Sequence, residues 1–314
     1  MADMRVEFIK CHGSGNDFPL IDARDGAIAE DEWAPLARAL ADRAGPVGGD
    51  GLLALVPGRD GAAFGMRMFN SDGSEAETCL NGLRCVARAG FEALGIERAT
   101  VSLATSTAEV ARAPEIAAGV WTVAETAGPA SLDVTAWPML IEEDEVVERP
   151  IPLLASHRPF TAIAIPNPHL IAFVGEVDEA ELVAVGLACE AAPAWLPNRA
   201  NVSFVEVRGA DTLFVRTHER GVGLTDSCGS AMAASTYAAC LTGRIAFGAE
   251  VTVLNRGGRV RARASEDAMV TLHGNATWEW EGEVAVDLAR ARAGELTVRR
   301  HFDAEIAAWA RAVQ

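Results

Sequence analysis

The chain has 314 residues, of which 50% are hydrophobic and 23% are charged, and its formal net charge is −17. This composition is typical of a folded chain with one large or two smaller domains, and the negative charge disfavours binding to nucleic-acid phosphates. No stretch of about 18 residues is apolar enough to span a membrane, and the opening MADMRVEFIK does not resemble a secretory signal. We therefore expect a cytoplasmic protein without nucleic-acid or membrane partners.

Lysine occurs once, as Lys10, among 27 basic side chains. Pyridoxal phosphate enzymes hold their cofactor on a lysine, so a mechanism that uses this cofactor is not expected. The six cysteines contain no CxxC pair, and in a chain of this length they are expected to be reduced thiols rather than a zinc site. We expect neither a cofactor nor a metal.

The first half of the chain predicts strands joined by glycine-rich turns. Two strands are expected on either side of the loop His12–Asp17, whose glycines permit close approach of the backbone. Helices are expected over about 31–44 and about 82–94, where apolar residues recur at helical spacing. A strand and a turn at Asn70–Gly73 precede the second helix, and further strands follow it.

The second half begins with residues 129–160, which are rich in proline and acidic side chains and show no firm periodicity. Next comes a strand interrupted by Pro166 and Pro168, and then two more strands. A helix of small residues is expected to end at Gly243, and a hairpin is expected around Gly257-Gly258. More strands and a C-terminal amphipathic helix complete the prediction.

Two strand–turn–helix units in the sequence are similar. Cys79 opens one Ala-rich helix and Cys228 opens another, each after a strand and a turn. The two halves of the chain are therefore predicted to be related folds, each with a helix packed against strands.

A cysteine at a helix N-terminus lies in an electropositive setting, because free N–H groups and the helix dipole stabilise its thiolate. The same N–H groups can bind a carboxylate. A carboxylate held between two such helix ends has a thiol on either side, as needed to remove a proton from one face of a carbon and add one to the other. Cysteine is also a common core residue, and spacing alone leaves both interpretations open for Cys79 and Cys228. The core interpretation is preferred for Cys11, Cys85, Cys189 and Cys240.

Six motifs, in order along the chain, resemble those of diaminopimelate epimerase. They are HGSGNDF from His12, FNSDGSE from Phe69, CLNGLRC from Cys79, NPH from Asn167, NVSF from Asn201, and ERG from Glu219 together with CGS from Cys228. The motifs run over about residues 5–240, and the strand TWEWEGEV extends the resemblance to about residue 285.

The resemblance implies an α/β (α+β) fold of two similar domains. Each would be a β-barrel-like sheet wrapped around a central helix, with the site in the cleft between the domains. We expect the first domain over 1–118 plus 273–314 and the second over 119–272. The implied activity is cofactor-independent inversion at one α-carbon, which converts LL- to meso-2,6-diaminopimelate for lysine and cell-wall synthesis. The expected partner is this small-molecule substrate, and a homodimer is left open.

The resemblance also implies roles for individual residues. Cys79 and Cys228 would be the acid and the base and would exchange roles with direction, while His169 and Glu219 would be their polar partners. Asn16 would contact the substrate near the reacting centre. The reacting carboxylate would be held by the backbone N–H groups of Leu80, Asn81, Gly229 and Ser230. The distal end would be bound by Asn70, Asn167, Asn201 and Arg220, with Glu219 also counted among the substrate contacts.

Three positions depart from the family pattern. Leu80 and Pro166 stand where glycine is usual, and Gly51 stands where many members have glutamine; residues 286–314 have no counterpart. These differences keep open a racemase or isomerase of the same fold that acts on another α-amino acid. A third hypothesis is a non-catalytic protein that uses Cys79 and Cys228 as a disulfide switch. Exchange of solvent deuterium into the substrate separates an enzyme from such a switch.

Overall fold

The computed structural model describes residues 4–154 and 156–314. The chain divides into two compact units. The first consists of the described part of residues 1–125 together with His273–Gln314, and the second is Thr126–Leu272.

The first unit begins with strands on both sides of a glycine-rich loop. Its strands up to the second unit are β1 (Met4–Gly13), β2 (Asn16–Asp22), β3 (Gly51–Pro57), β4 (Phe64–Asn70), β5 (Glu75–Ala76), β6 (Arg98–Ser102), β7 (Thr107–Ala113) and β8 (Thr122–Ala127). Its helices are α1 (Trp33–Ala41) and α2 (Leu80–Leu94), and a single 3-10 turn, Glu30–Glu32, precedes α1. Both helices predicted for this part of the chain are confirmed.

Helix α2 is the central helix of the first unit. Strands β1, β2, β3, β4, β6 and β7 all contact it, and most of its residues are buried. Helix α1 packs on the other side of the strands, where Trp33, Leu36 and Leu40 share a core with Ile21 and Leu52. The strands therefore bury apolar groups on both faces.

The second unit contains the next set of strands and two more helices. These elements are β9 (Thr161–Ala164), β10 (Pro168–Val174), α3 (Glu179–Glu190), β11 (Asn201–Gly209), β12 (Thr212–Glu219), β13 (Gly223–Thr225), α4 (Gly229–Leu241), β14 (Val251–Asn255), β15 (Gly258–Ala264) and β16 (Val270–Asn275). The break at the two prolines, the small-residue helix and the glycine hairpin are confirmed. Helix α3 was not predicted; Asp178 caps it by accepting from the backbone N–H groups of Ala180 and Glu181.

The two units repeat one topology. In the first, β1 pairs antiparallel with β2, β2 runs parallel to β3, β3 pairs antiparallel with β4, and β4 pairs antiparallel with β5 and parallel with β6, which pairs antiparallel with β7. The second unit has the same sequence of pairings through β9, β10, β11, β12, β13, β14 and β15. The predicted relation between the halves is confirmed.

Helix α4 is the central helix of the second unit, where nearly all of its residues are buried and six strands contact it. Residues 129–160 contain no helix or extended strand among those described, yet they contribute Val134, Trp137 and Ile151 to the core that also holds Leu182 of α3. The acidic run 142–145 within them is exposed, as expected. The fold class predicted from the sequence, α/β (α+β) with a central helix in each of two similar units, is confirmed.

The chain returns to the first unit through β17 (Thr277–Asp287), β18 (Arg292–His301) and α5 (Asp303–Ala312). Strand β17 pairs antiparallel with β1, and β18 pairs antiparallel with β17. The C-terminal helix was predicted, whereas β18 was not. Among the described residues, no helix has the length and apolar character needed to cross a membrane.

The first boundary between the units falls later than the expected one after residue 118. Strand β8 pairs with β7, and its Glu125 forms an ion pair with Arg84 of α2. These contacts hold residues 119–125 in the first unit.

Candidate active site

Cys79 lies at the start of the central helix of the first unit. It is the N-cap residue of α2, with extended backbone angles, and its Sγ accepts from the backbone N–H of Gly82 at 3.4 Å. The thiol also lies 3.7 Å from Oδ1 of Asn16, toward which it donates. A Cβ at Gly82 would lie 2.6 Å from Cδ2 of Leu53 and 3.4 Å from Sγ, so a larger residue there would require the Leu53 side chain to shift.

The orientation of the Asn16 amide is set by a carboxylate network. Its Nδ2 donates to Asp50, which leaves Oδ1 facing Cys79. Asp50 is paired with Arg43 at 2.6 Å, and Arg43 also binds Asp17. Burial raises the pKa of Asp17, but hydrogen bonds from Arg43 and the charge of Lys10 outweigh it and hold that pKa below its ordinary value. The Asp17 carboxylate therefore stays ionised and keeps Arg43 in place.

A buried polar cluster lies behind the first turn of α2. Arg84, fully buried, donates to Oδ1 of Asn81 at 2.7 Å, to Oγ of Ser14 at 3.0 Å, and to Oε1 of Glu125 at 2.6 Å. The same guanidinium donates to the backbone oxygen of Asn275 at 3.1 Å. Arg84 thus ties the helix to the glycine-rich loop and holds the side chain of Asn81, whose backbone N–H is expected to meet substrate.

Asn70, Leu80 and Gly51 also lie in the first unit. Asn70 ends β4 and donates from Nδ2 to Oγ of Ser74 at 3.0 Å, so part of its hydrogen-bonding capacity serves its own turn. The side chain of Leu80 is buried. Gly51 pairs with Asn70 across the strands, and a Cβ there would lie 2.2 Å from the backbone oxygen of Phe69, so a glutamine could not replace it without a backbone shift.

Cys228 occupies the matching position in the second unit. It is the N-cap residue of α4 with extended backbone angles, it is buried, and its Sγ lies 3.5 Å from Oγ of Ser230. Burial raises its pKa well above the ordinary value, and the Glu219 carboxylate raises it further. Hydrogen bonds from Ser230 and from the backbone of Ala231 act in the opposite direction. The backbone N–H at the helix end therefore favours the thiolate of Cys228, as expected, but burial and the carboxylate outweigh this effect.

Glu219 ends β12, and Arg220, the next residue, contacts Asn201 at the start of β11. Glu219 accepts from the hydroxyl of Thr225. The backbone N–H of Arg220 donates to Oδ1 of Asn201 at 2.9 Å, and its guanidinium donates to the backbone oxygen of Asn198 at 3.0 Å. Among the residues that the structure describes, nothing accepts from the buried Nδ2 of Asn201, which leaves a donor suited to a polar ligand.

His169 lies on β10 beside Asn201 on β11, in parallel register. Its Nε2 lies 3.2 Å from Oδ1 of Asn167, which places the ring proton on Nε2. Burial, assisted by the charge of Arg220, lowers the pKa of His169 to about 3, so the imidazole is neutral. Its Nδ1 has no hydrogen-bond partner within the described part of the chain and is available as an acceptor.

Each unit therefore gathers its own set of the expected residues. The first contains Asn16, Asn70, Cys79, Leu80 and Asn81, and the second contains Asn167, His169, Asn201, Glu219, Arg220, Cys228, Gly229 and Ser230. The residues that orient them were missed from the sequence. Asp50 and Arg84 stand inside the motifs GGDG and CLNGLRC, which is the signal that could have identified them.

Solved structures share the fold of this chain. A PhzF-family phenazine biosynthesis protein of Bacillus anthracis has a TM-score of 0.64 at 15% identity, covering 90% of this chain and 99% of that one. A probable proline racemase from Agrobacterium radiobacter has a TM-score of 0.61 at 14% identity, covering 90% and 93%. The chain therefore has the two-unit fold of these proteins.

Sequence comparison then identifies the family within this fold. A family model described as Diaminopimelate epimerase matches residues 8–124 and 161–279. The diaminopimelate epimerase of Clostridium acetobutylicum is 39% identical over 290 residues, which are 90% of this chain and 87% of that protein. The enzyme of Ligilactobacillus salivarius is 38% identical over 286 residues, 87% and 88% of the two chains. This chain belongs to the diaminopimelate epimerase family.

Proposed function

We propose that this chain is an isomerase that interconverts LL-2,6-diaminopimelate and meso-2,6-diaminopimelate, with Cys79 and Cys228 as the two acid/base groups. Membership in the diaminopimelate epimerase family supports the reaction and its place in lysine synthesis. One structural observation carries the residue assignment. In each unit, a cysteine is the N-cap of the central buried helix, where a thiol and free N–H groups are presented together.

The mechanism moves one proton off and one proton onto the same carbon. A thiolate removes the α-proton and becomes a thiol, the carbanion is held as its carboxylate is bound, and the other thiol donates its proton to the opposite face and becomes a thiolate. Nothing is oxidised or reduced, and the protonation states of the two cysteines are exchanged after one turnover. Backbone N–H groups of Leu80, Asn81, Gly229 and Ser230 bind the carboxylate and stabilise the developing charge.

The environment of Cys228 supports its role as the proton donor at the start of a cycle. Burial and the Glu219 carboxylate raise the pKa of this thiol, so Cys228 is protonated before substrate binds. The substrate then meets Cys79 as the base in the direction that begins in this state. After turnover, Cys228 is the thiolate, and the reverse direction begins from there.

The distal, non-reacting end of the substrate has an amino group and a carboxylate to be bound. The fork of Arg220 suits a carboxylate because it can bind both oxygens. The unpartnered Nδ2 of Asn201 supplies a further donor, and Asn70 and Asn167 supply amide groups with both donor and acceptor atoms. A substrate with a second amino-acid head group matches this set.

We also propose that the reaction needs neither a cofactor nor a metal and takes place in the cytoplasm. The single lysine, Lys10, is buried and ion-paired with Asp17 at 2.5 Å, so it is not presented to an aldehyde cofactor. Two free thiols are required, and the cytoplasm keeps thiols reduced. Dialysis against a chelator is expected to leave the rate unchanged, whereas oxidation of the thiols is expected to abolish it.

The test is proton NMR of LL-diaminopimelate in deuterated water with the reduced protein. The α-proton signal is expected to disappear as meso product forms, and both Cys79→Ala and Cys228→Ala are expected to abolish the reaction. Cys240→Ala is the matched control, since this buried cysteine lies at the other end of α4, and it should keep the exchange. Exchange that persists in either active-site variant would contradict the two-thiol assignment, and no exchange with either isomer would contradict the substrate.

A further inference from the structure

The C-terminal helix α5 is joined to the central helix of the first unit by a partly buried ion pair. Glu305 accepts from Nη1 and Nη2 of Arg88 at 2.5 and 2.8 Å. The Arg88 side chain is only 6% exposed, and such a two-pronged pair fixes both distance and orientation. Glu305 also accepts from the backbone N–H of Trp278 at 3.1 Å, so it ties α5 to β17 as well.

Arg88 is held rigidly on its other sides. Its guanidinium donates to the backbone oxygen of Ala276 at 2.7 Å and lies 4.3 Å from the centre of the Trp278 ring. Arg88 belongs to α2, and Cys79 is the N-cap of that helix. Because backbone hydrogen bonds fix the spacing of residues along an α-helix, a restraint on Arg88 also restrains the position of Cys79.

A second contact runs from α5 to the loop that carries Asn16. The ring of Trp309 is buried and lies 5.6 Å from the ring of His12, centre to centre. Burial lowers the pKa of His12 to about 4, so the imidazole is neutral at neutral pH. Its Nδ1 accepts from the backbone N–H of Gly15 at 3.3 Å and lies 3.2 Å from Nδ2 of Asn275.

These contacts place the His12 ring against the turn that leads into β2. Gly15 is the residue before Asn16, whose Oδ1 accepts from the thiol of Cys79. The order of contacts is therefore Trp309, His12, Gly15, Asn16 and Cys79. Trp309 is itself anchored with Ala308 in a small apolar cluster with Ile116 and Val120, so the indole cannot turn away freely.

We propose that α5 is a positioning element for Cys79, acting through Glu305 on Arg88 and through Trp309 on His12. The helix lies outside residues 8–124 and 161–279, which the family model matches. The kinetic consequence rests on the proposed function, whereas the effect on the environment of Cys79 does not. Glu305 and Trp309 are positioning residues, since they touch α2 and the glycine-rich loop rather than the thiol.

The test uses the full-length chain with Trp309→Ala, Trp309→Phe and Glu305→Gln. Each reduced protein is treated briefly with iodoacetamide well below its unfolding temperature, and alkylation at Cys79 and Cys228 is quantified by peptide mass spectrometry. Cys228 is the internal reference because it lies in the other unit. Ile306→Ala is the control, since this side chain is on the same helix and is 38% exposed.

We expect Trp309→Ala and Glu305→Gln to change the Cys79-to-Cys228 alkylation ratio by about threefold or more, because small displacements change reactive geometry strongly. With diaminopimelate as substrate, kcat is expected to fall about tenfold with KM changed by less than about twofold. Trp309→Phe should keep the alkylation ratio and kcat close to those of the unmodified chain, because an aromatic ring still faces His12. Ile306→Ala should match the unmodified chain in both.

An unchanged alkylation ratio in Trp309→Ala and Glu305→Gln would overturn the proposal, even if both variants were less stable, because that result would assign α5 a purely structural role. If Trp309→Ala does not fold, Glu305→Gln and Trp309→Phe decide the question by the same ratio. A changed ratio without any epimerase activity would support the positioning role and refute the proposed reaction instead.

Discussion

Replacing Arg84 with methionine measures what the buried ion pair with Glu125 contributes to the first unit. Both side chains are fully buried and lie 2.6 Å apart. Methionine keeps apolar bulk but leaves Glu125, Asn81 and Ser14 without the guanidinium. Removing one partner of a buried ion pair costs about 3–5 kcal/mol, and we expect Arg84→Met to lower the free energy of unfolding by roughly that amount in mildly alkaline solution.

The size of this loss should depend on pH in a defined direction. Burial raises the pKa of Glu125 from 4.5 to about 7, although Arg84 opposes the shift. The folded chain therefore holds this proton more tightly than the unfolded chain, and this contribution to stability is lost as pH rises from about 4.5 to about 7. Above about pH 7 the carboxyl is ionised in both states of the unmodified chain, so the contribution no longer changes.

Without Arg84, the pKa of Glu125 rises further, and the variant continues to lose about 1.4 kcal/mol for each pH unit above about 7. Between about pH 7 and about pH 8.5, the difference in unfolding free energy between the variant and the unmodified chain should widen by about 2 kcal/mol. Below about pH 7 the difference should be constant, since only lost hydrogen bonds contribute to it there.

Urea unfolding followed by tryptophan fluorescence at about pH 6, 7 and 8.5 tests this reasoning. Adding Glu125→Gln to Arg84→Met removes the titrating group, so the double variant should show no further loss of stability between about pH 7 and about pH 8.5. Arg112→Met is the control, because this arginine is exposed and pairs with exposed Glu97, and it should cost less than about 1 kcal/mol. A difference that is the same at all three pH values would refute the argument.

Three further predictions concern residues in or next to the candidate site of each unit. Gly13→Ala should lower both the melting temperature and kcat, because its Cβ would lie 2.4 Å from a backbone oxygen in the first turn of α2. Gly175→Ala is the control: its Cβ would meet no heavy atom within 4 Å, so both values should stay unchanged. Glu219→Gln should move the pH profile of Cys228 alkylation to lower pH, since the carboxylate raises the pKa of that thiol, and an unmoved profile would count against the pairing. His169 has a pKa lowered to about 3, so its contribution to stability is present above about pH 6.5 and is lost as pH falls. At about pH 5 the loss should be about 2 kcal/mol. His169→Gln should remove this pH-dependent loss from thermal unfolding curves.

The sequence predicted the elements that have distinct local signals. Helix α4 was found from its run of small residues, and the hairpin between β14 and β15 from its two glycines. Helix α3 was missed because its apolar side chains, including Leu182 and the exposed Leu187, are not confined to one face. Strand β18 was missed because it is largely exposed along its whole length, so no alternation of polar and apolar residues indicates it.

The candidate site was predicted through motifs, and its supporting contacts were not. Cys79 and Asn16 each stand in a recognisable motif. Glu125 and Asn275 bind Arg84 across 41 and 191 residues of chain, and no local pattern predicts which distant polar groups meet in a core. The elevated pKa of Cys228 was also beyond the sequence, because burial, its main cause, depends on the packing of the whole unit.

The candidate residues of each unit can be called a half-site, and the repeated topology shows where the two half-sites differ in charge. Strand β4 ends at Asn70 and strand β12 ends at Glu219, so the duplication places an amide in one unit where the other has a carboxylate. Sγ of Cys79 lies 3.7 Å from the neutral amide oxygen of Asn16, whereas Cys228 lies beside the charge of Glu219. The proposed two-thiol reaction requires one thiol and one thiolate at the start of each cycle. Two identical half-sites would favour the same protonation state for both cysteines. Under the proposed mechanism, the difference in neighbouring charge would therefore let one scaffold, used twice, supply an acid and a base.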